Sequence, residues 1–260
     1  MQKQPSLAQK LVAEALGTGL LTLIGAGSVT ATLTLEGGSG AKFSEADLGI
    51  ISFAFGFIIL AMVFTIGKVS GCHINPAVTI ALALTGRTDW LTAIGYIIAQ
   101  FVGAIVGALG IVAMFGTTAA SSSILGVTSY GASVSALQAI IAEAIGTFIL
   151  VFTIYGVAVD PRAPSGWAGL VIGLIVAGII FVVGPVTGAA LNPARAFGTT
   201  FVQAIFGGKV FFDQYIVYII GPVVGGALGA FAYDFLVQPK AAEERATLET
   251  KTTDRATAAR

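Results

Sequence analysis

Charged side chains are scarce in this sequence. Only 10% of the 260 residues are Asp, Glu, Lys or Arg, whereas 56% are hydrophobic. A soluble globular domain carries about 25% charged residues, which cover its water-facing surface. The shortage excludes an ordinary soluble domain and favours a protein whose surface faces lipid.

Basic clusters, cysteine and histidine are lacking as well. The 13 Lys and Arg balance the 13 Asp and Glu, and they form no patch of the kind that a nucleic-acid groove requires. A single cysteine, Cys72, excludes an intramolecular disulfide and a Cys-rich metal site. A single histidine, His73, argues equally against a His-cluster metal centre. We therefore expect no nucleic-acid partner, no metal and no cofactor.

Long apolar runs stand in place of the missing charge. A helix needs about 20 apolar residues to cross a bilayer, and six segments meet that requirement. They cover about 11–35, 48–67, 91–115, 136–158, 167–186 and 215–237. The first could be a cleaved signal peptide, because Lys3 and Lys10 precede it. Its length, the presence of Glu14 and a recurrence of its sequence inside the chain favour a retained span.

The basic residues predict how the chain is oriented. Six spans place both termini on one side of the membrane, and most Lys and Arg fall on that side. The loops of the opposite side carry chiefly Lys42 and Lys209. By the positive-inside rule both termini are cytoplasmic, in a multi-pass protein of the cell (plasma) membrane. Residues 1–10 and the polar residues 239–260 are then cytoplasmic ends of a membrane domain over 11–238, and no function is derived for the tail.

The sequence repeats itself once. "AEALGTGLL" at 13–21 matches "AEAIGTFIL" at 142–150, and an Asn-Pro-Ala triplet occurs in both parts of the chain. The chain therefore divides into halves of three spans each, about 11–115 and 136–237. Because three is odd, the second half enters the membrane from the opposite side. Such inverted repeats place the functional site near the midplane, where the halves meet.

Each Asn-Pro-Ala triplet predicts the start of a half-helix. The triplets are Asn75, Pro76 and Ala77 in the first half and Asn192, Pro193 and Ala194 in the second. Each precedes only about ten apolar residues, or about 15 Å of helix, which is half of a roughly 30 Å hydrocarbon core. Asn is a favoured N-cap and Pro is favoured at the first helical position. Two half-helices meeting at their N-termini would fill one bilayer thickness.

The segments before the triplets predict a path through the membrane. Gly71, Cys72 and His73 in one half, and Gly188, Ala189 and Ala190 in the other, belong to Gly-containing stretches that we expect to be extended, with carbonyls lining a water-filled passage. Glu14 and Glu143 stand at equivalent places, and we expect them to accept backbone N–H bonds from these loops. A proton relay through the two carboxylates is the alternative.

At the meeting point, two helix N-termini would contribute positive potential. We expect the side-chain oxygens of Asn75 and Asn192 to cap the helices and their N–H groups to face the path. Arg195 adds a fixed charge at the outer end. Such an arrangement conducts neutral polar solutes and rejects cations, protons included.

With these residues the sequence closely resembles the aquaporin family (major intrinsic proteins) over about residues 8–237, and is most similar to the archaeal-type members. The resemblance implies an all-α membrane protein with six transmembrane helices plus two re-entrant half-helices in an inverted repeat, the aquaporin fold. It also implies a homotetramer with one pore in each protomer and no catalysis. The partners are then water, small neutral solutes and membrane lipids.

The resemblance also implies a four-residue selectivity filter made of Phe55, Ile180, Ala189 and Arg195. Water channels of the family usually have His where this chain has Ile180. Glycerol channels usually have Trp where it has Phe55 and Asp where it has Ala196. Neither subclass is matched cleanly. Water is the expected main solute, with glycerol or small gases (carbon dioxide, hydrogen sulfide, ammonia) as alternatives.

Other roles remain open. In the family the position of His73 lines the inner half of the pore, and pH sensing is its alternative role. A coupled transporter would use Glu14 and Glu143 and show saturable, proton-dependent uptake. A structural membrane protein would show little water permeability, and a membrane enzyme lacks a catalytic constellation in this sequence.

Overall fold

The computed structural model describes residues 4–237, and within that range it contains helices and no strand. The helices, in chain order, are α1 (Leu7–Ser39), α2 (Glu45–Ser70), α3 (Pro76–Leu84), α4 (Trp90–Phe115), α5 (Thr117–Ser121), α6 (Ala136–Val159), α7 (Ala168–Thr187), α8 (Pro193–Ile205) and α9 (Val217–Val237). A short 3₁₀ turn, Phe212–Gln214, precedes α9. Helices α1, α2, α4, α6, α7 and α9, the last with its preceding turn, are long and apolar enough to cross a membrane. The predicted all-α class with six spans is confirmed.

The first two long helices, α1 and α2, start several residues earlier than their predicted apolar runs. Helix α1 begins at Leu7, about four residues before the predicted span and inside the segment 1–10 expected to be a polar end. Ser6 and Gln9 form a reciprocal capping box there, and Ser44 and Ser135 begin α2 and α6 in the same way. Such caps satisfy backbone N–H groups of the first turn, so a polar turn can precede the apolar run. The predicted tail 239–260 lies outside the described residues.

Two of the long helices contain a π turn. In α1 it covers Thr22–Ala26, and in α6 it covers Tyr155–Val159 at the end of the helix. A Cβ added to Gly25 in the first π turn would lie 2.2 Å from the ring of Phe55, so the ring packs directly on the glycine backbone. π turns in helices occur frequently at functional sites, and this one fixes the position of an expected filter residue.

Within each half, a glycine lets the first and third long helices touch. A Cβ added to Gly103 of α4 would lie 2.0 Å from the carbonyl oxygen of Ala15 in α1. The second half repeats the contact, because a Cβ added to Gly225 of α9 would lie 2.0 Å from the carbonyl oxygen of Ala144 in α6. Small residues at such crossings allow backbones to pack closely in membranes. The two halves are thus assembled on the same contact.

Between the halves, the contact is reciprocal. A Cβ on Gly56 of α2 would lie 2.6 Å from the carbonyl oxygen of Gly173 in α7, and a Cβ on Gly173 would lie 2.5 Å from the carbonyl oxygen of Gly56. The two glycines are as far apart in the chain as Asn75 and Asn192 are. A reciprocal contact between equivalent residues is what two similar halves make when they face each other across a two-fold-like axis.

The two half-helices differ in length, which the sequence analysis did not predict. Helix α3 has 9 residues, close to the expected ten, whereas α8 has 13. The extra turn of α8 carries Gln203, which is buried and accepts a hydrogen bond from the backbone N–H of Leu125 at 3.0 Å. The loop 116–135 contains the short helix α5, and its Leu125 contacts α8 in this way.

Candidate conducting pore

The two Asn-Pro-Ala triplets begin α3 and α8. The Asn75 Oδ1 atom accepts from the backbone N–H of Ala77 at 2.9 Å. The Asn192 Oδ1 atom accepts from the N–H groups of Ala194 and Arg195 at 3.0 and 3.1 Å. Pro76 and Pro193 occupy the first helical turn, where no backbone donor is needed. The prolines and alanines of the triplets are buried helix starts, whereas both asparagines line a cavity.

The amide nitrogens correct one expectation. Asn75 Nδ2 donates to the carbonyl oxygen of Leu191, and Asn192 Nδ2 donates to that of Ile74, both at 2.8 Å. Each amide therefore donates one N–H to the loop of the opposite half, whereas both N–H groups were expected to face the path. A side-chain amide has two N–H groups, so each asparagine keeps one for the cavity that it lines.

The loops before the triplets were expected to be extended, and this expectation is wrong. Their backbone enters the left-handed region at three residues in each loop. The φ angles are +90°, +53° and +42° at Gly71, Cys72 and Ile74, and +80°, +46° and +52° at Gly188, Ala189 and Leu191. For residues other than glycine such conformations cost roughly 1–2 kcal/mol each. The same set of turns in both loops implies that something stabilises them.

In the first half, Glu14 supplies that stabilisation. Its Oε1 accepts from Ser70 Oγ at 2.6 Å and from the backbone N–H of His73 at 2.9 Å. Its Oε2 accepts from the N–H of Ile74 at 2.6 Å and from Gln100 Nε2 at 2.8 Å. The side chain is completely buried. Four donors and no acceptor around a carboxylate suit its ionised form, in which every oxygen only accepts.

In the second half, Glu143 stabilises the equivalent loop but accepts hydrogen bonds from fewer donors. Its Oε1 accepts from Thr187 Oγ1 at 2.6 Å and from the N–H of Ala190 at 2.9 Å, and its Oε2 accepts from the N–H of Leu191 at 2.7 Å. The positive charge of Arg195 acts on this carboxylate as well. One lone pair thus lacks a donor among these contacts, and the nearby cation offsets the deficit.

Two cavities meet beside the half-helices. The inner one, of about 320 Å³, contains both asparagines in its wall, and the outer one, of about 560 Å³, contains Arg195. Both are lined by Phe55 and Ile180, which therefore stand at the junction. Ala189 lies on the inner side. The four residues that the resemblance implied as a filter are placed at or beside this junction.

The loop residues expected to line the path lie in the same two walls. Gly71, Cys72, His73 and Ala190 line the inner cavity, and Gly188 lines the outer one.

Arg195 is the charged group at the junction. Its side chain is only 2% exposed, and its guanidinium carbon lies 5.1 Å from the centre of the Phe55 ring. Its Nε and Nη1 atoms are occluded and have no hydrogen-bond partner within residues 4–237. The face of an aromatic ring attracts a cation, so Phe55 and the charge of Glu143 partly compensate for the lost solvation.

Sequence reasoning missed several residues that hold the site. Gln100 and Thr79 are fully buried, and Gln100 Nε2 bridges Glu14 and the Thr79 hydroxyl. A glutamine in the middle of an apolar span was a usable signal, because polar residues inside membranes mark functional contacts. Tyr96 and Tyr218 donate to the carbonyl oxygens of the residues before the two loops. Aligning the third span of each half would have found this pair.

The inner end of the path carries ion pairs. Arg87 lines the inner cavity, its Nη2 lies 2.6 Å from Asp234 Oδ1, and its guanidinium lies over the ring of Tyr155. In the loop after α6, Arg162 pairs with Asp160 at 2.5 Å. Hydrogen bonds from Arg162 hold the pKa of the Asp160 carboxyl below its usual range. The Arg87–Asp234 pair joins the α3–α4 loop to α9, and a hydrogen bond from Tyr233 to Asp160 joins the α6–α7 loop to the same helix.

These features, two half-helices that meet at their N-termini inside six spans, define a membrane channel of inverted-repeat type. The chain belongs to the major intrinsic protein family, whose model matches residues 1–233. The members of this family are channels, and the chain is an integral, multi-pass membrane protein.

Similar proteins include two archaeal aquaporins and an aquaglyceroporin of solved structure. The chain is 43% identical over 242 residues to aquaporin AqpM of Methanothermobacter marburgensis, covering 89% of this chain and 98% of that protein. It is 42% identical over 242 residues, with the same coverage, to aquaporin AqpM of Methanothermobacter thermautotrophicus. Among solved structures, the aquaglyceroporin from Plasmodium falciparum matches with a TM-score of 0.78 and 28% identity, covering 88% of this chain and 96% of that one. The predicted family is confirmed.

Proposed function

We propose that this protein is a passive transmembrane channel for water and other small neutral solutes. The observation that carries the proposal is the pair of asparagines, each with one amide N–H left for the wall of the inner cavity. A water molecule passing there finds two donors for its oxygen, which replace part of the hydration that it leaves behind. The relatives named aquaporin support water as the main solute.

Exclusion of ions rests on the same elements. The N-termini of α3 and α8 meet at the asparagines, and each carries roughly half a positive charge. Arg195 adds a full charge at the junction of the cavities. A cation crossing the pore would meet both. The acid whose charge acts on Arg195, Glu143, lies behind the loop and is fully buried, and the acid that lines the outer cavity is Glu45, at the start of α2.

Glycerol is the second candidate solute, and the junction supports it. Ile180 offers no donor or acceptor and Ala189 is small, so the constriction depends on Arg195 and backbone carbonyls for its polarity. Rejecting a small polyol requires narrowness or unmet hydrogen bonds. The similarity to a solved aquaglyceroporin is consistent with this broader range.

The remaining classes receive less support. A proton relay or a coupled transporter would need Glu14 and Glu143 to exchange protons, but their oxygens are engaged by hydrogen-bond donors. We therefore assign both acids to holding the loops and propose no catalytic activity.

The arrangement in the membrane follows from the proposal. We propose that 11–238 is the channel domain, that it forms a homotetramer with one pore in each protomer, and that both chain termini are cytoplasmic. The ion pair of Arg87 with Asp234 and the hydrogen bond from Arg162 to the carbonyl of Val237 support the last point. They place two basic residues at the end of α9 from which the tail continues, as the positive-inside rule requires.

The test is stopped-flow light scattering on liposomes that contain the purified protein, after a shock with an impermeant osmolyte and after a shock with glycerol. We expect fast shrinkage in the first and measurable re-swelling in the second. Rates equal to those of empty liposomes in both would contradict the proposal.

Two variants sharpen the choice of solute. Ile180→His adds a polar ring to the junction, and we expect glycerol re-swelling to slow while water shrinkage stays fast. Phe181→Leu is the matched control, because the neighbouring Phe181 side chain is 41% exposed on the outside of the protein. Equal glycerol rates in Ile180→His and in the unchanged protein would remove position 180 from the filter.

A further inference from the structure

The single histidine belongs to a buried polar cluster that the asparagines and the filter do not explain. His73 Nδ1 lies 3.2 Å from Thr79 Oγ1. The same hydroxyl oxygen lies 3.0 Å from the carbonyl oxygen of Asn75 and 2.9 Å from Gln100 Nε2. Because Thr79 and Gln100 are fully buried, water does not substitute for these contacts.

Counting protons assigns the direction of each contact. A threonine hydroxyl has one proton and two lone pairs. The Asn75 carbonyl can only accept, and the Gln100 amide nitrogen can only donate. If Thr79 donates to Asn75, its lone pairs accept from Gln100 and from a protonated His73 Nδ1, and all three contacts are hydrogen bonds.

The opposite assignment loses a bond. If Thr79 donates to His73 Nδ1 instead, its contact with the Asn75 carbonyl carries no proton. The ordinary net worth of one hydrogen bond corresponds to a population ratio of about five to one in favour of the first assignment. Its consequence is a neutral imidazole that carries its proton on Nδ1 and has a bare Nε2.

The bare nitrogen faces the path. His73 lines the inner cavity, and its ring is held edge-on to Tyr96 with centroids 5.0 Å apart. Within residues 4–237, Nε2 makes no hydrogen bond, and it is not among the occluded polar atoms. It is therefore the ring nitrogen that a molecule in the cavity can reach.

We propose that Thr79 is a positioning residue that fixes His73 as the Nδ1–H tautomer, so that Nε2 accepts a hydrogen bond from a solute in the inner half of the pore. The solute part of this inference rests on the proposed function, whereas the tautomer does not. At the asparagine pair a water molecule accepts with its oxygen, so its hydrogens point away and require acceptors on either side. The second half has Ala196 and Ala190 at the equivalent positions, so the device is present only once.

The tautomer can be read directly, because the chain contains one histidine. The full-length protein, labelled with ¹⁵N at histidine, is placed in lipid bilayers and observed by solid-state NMR. The pH is about 8.5, which is about two units above the ordinary pKa of the side chain. We expect a protonated Nδ1 and a bare Nε2, whose resonances are well separated. In Thr79→Val we expect the proton to move to Nε2, the tautomer that a free imidazole side chain favours in water.

Three further variants make the test specific. Thr79→Ser keeps the hydroxyl and should keep the Nδ1–H signal, whereas Thr79→Ala repeats the loss with a smaller side chain if valine disturbs the helix. Thr199→Val is the matched control, because Thr199 is a buried threonine of α8 whose hydroxyl donates to carbonyl oxygens of its own helix. A wild-type Nε2–H signal, two protonated nitrogens, or an unchanged signal in both Thr79→Val and Thr79→Ala would overturn the proposal.

Water permeability of the same vesicles separates this inference from the proposed function. The loss of one acceptor for a permeating water should slow shrinkage about two- to five-fold in Thr79→Val, from the ordinary worth of one hydrogen bond. Unchanged permeability with a switched tautomer would overturn the solute part. An Nδ1–H signal in a wild-type protein that is no more permeable than empty vesicles would support the tautomer and overturn the proposed function.

Discussion

Glu14 and Glu143 hold equivalent loops in the two halves, but with different surroundings. Glu14 accepts from four donors, the fourth of which is Gln100. Glu143 accepts from three, because the residue equivalent to Gln100 is Pro222, which has no side-chain donor. In place of the fourth donor the second half has the charge of Arg195 near its carboxylate.

The comparison separates the residues that build the loops from those that face the solute. Both halves repeat the residues that hold the loops. A carboxylate accepts from a hydroxyl and from two loop N–H groups, and an asparagine caps a helix that begins with proline. The two halves differ where side chains reach the cavities or support them: His73 against Ala190, and Val78 against Arg195. The repeat supplies the framework, and selectivity resides at the positions where its copies differ.

The largest expected effect comes from neutralising one carboxylate in each half. Glu143→Gln leaves the buried Arg195 without its nearby negative charge, and we expect the free energy of unfolding to fall by up to about 3–5 kcal/mol, the cost of an uncompensated buried charge. In Glu14→Gln the amide N–H group faces hydrogen-bond donors, but no buried cation loses its counter-charge. We expect the free energy of unfolding to fall by about 1–3 kcal/mol, because buried donors are left unsatisfied. Denaturant unfolding in detergent measures both. A greater loss for Glu14→Gln would show that the hydrogen bonds, and not the charge, decide.

The second-largest effect is expected at Gly103 and Gly225, where substitution should destabilise the two halves equally. Gly103→Ala and Gly225→Ala each place a methyl group 2.0 Å from a carbonyl oxygen, so the helices must separate. We expect both to destabilise by about 1–3 kcal/mol, the usual range for overpacking. Gly67→Ala is the control, since its nearest neighbour lies at 4.0 Å. Clearly unequal losses at the two crossings would mean that the halves are not mechanically equivalent.

A smaller effect follows from making the outer half resemble the inner one. Arg195→Val gives position 195 the residue that stands at the equivalent position 78. Without the fixed charge, we expect proton leakage through the pore to rise by about ten-fold, which corresponds to a barrier lowered by about 1.4 kcal/mol. A pH-sensitive dye inside liposomes reports the leak. The control is Val78→Ala, which changes the inner wall without changing charge, and an equal leak in both would contradict the assignment.

The smallest effect is expected at the loop after α6. The pKa of Asp160 in the folded protein lies below its ordinary value, because Arg162 donates to the carboxylate. Its stabilising contribution is therefore present above the unfolded pKa of about 3.9 and is lost as the pH falls through the lower folded value. In Asp160→Asn we expect the melting temperature at neutral pH to fall by about one or two degrees. The difference from the unchanged protein should shrink below pH about 4, and a difference that grows on acidification would contradict this reading.

Much of the fold follows from the sequence, because bilayer thickness sets the length of an apolar run and capping chemistry marks a helix start. The roles of Asn75 and Asn192 as caps and the half-helix starting at Pro76 were accessible for this reason. The left-handed turns at Cys72 and Ala189 were not, because neither residue type favours them and a carboxylate many residues away stabilises them. Gln100 stood out as a glutamine inside an apolar span, but its partners Glu14 and Thr79 could not be named from the sequence, because the bridge joins three separate segments.

The two hydrogen bonds between the asparagines and the opposite loops also constrain the order in which the protein assembles. Asn75 donates to a carbonyl 116 residues further along the chain, and Asn192 to one 118 residues back. While only the first half has left the ribosome, Glu14 can already hold its loop, but the Asn75 amide has no counterpart. The first re-entrant segment is therefore only partly held in place until the second re-entrant segment has entered the membrane. Neither half can form these two hydrogen bonds alone.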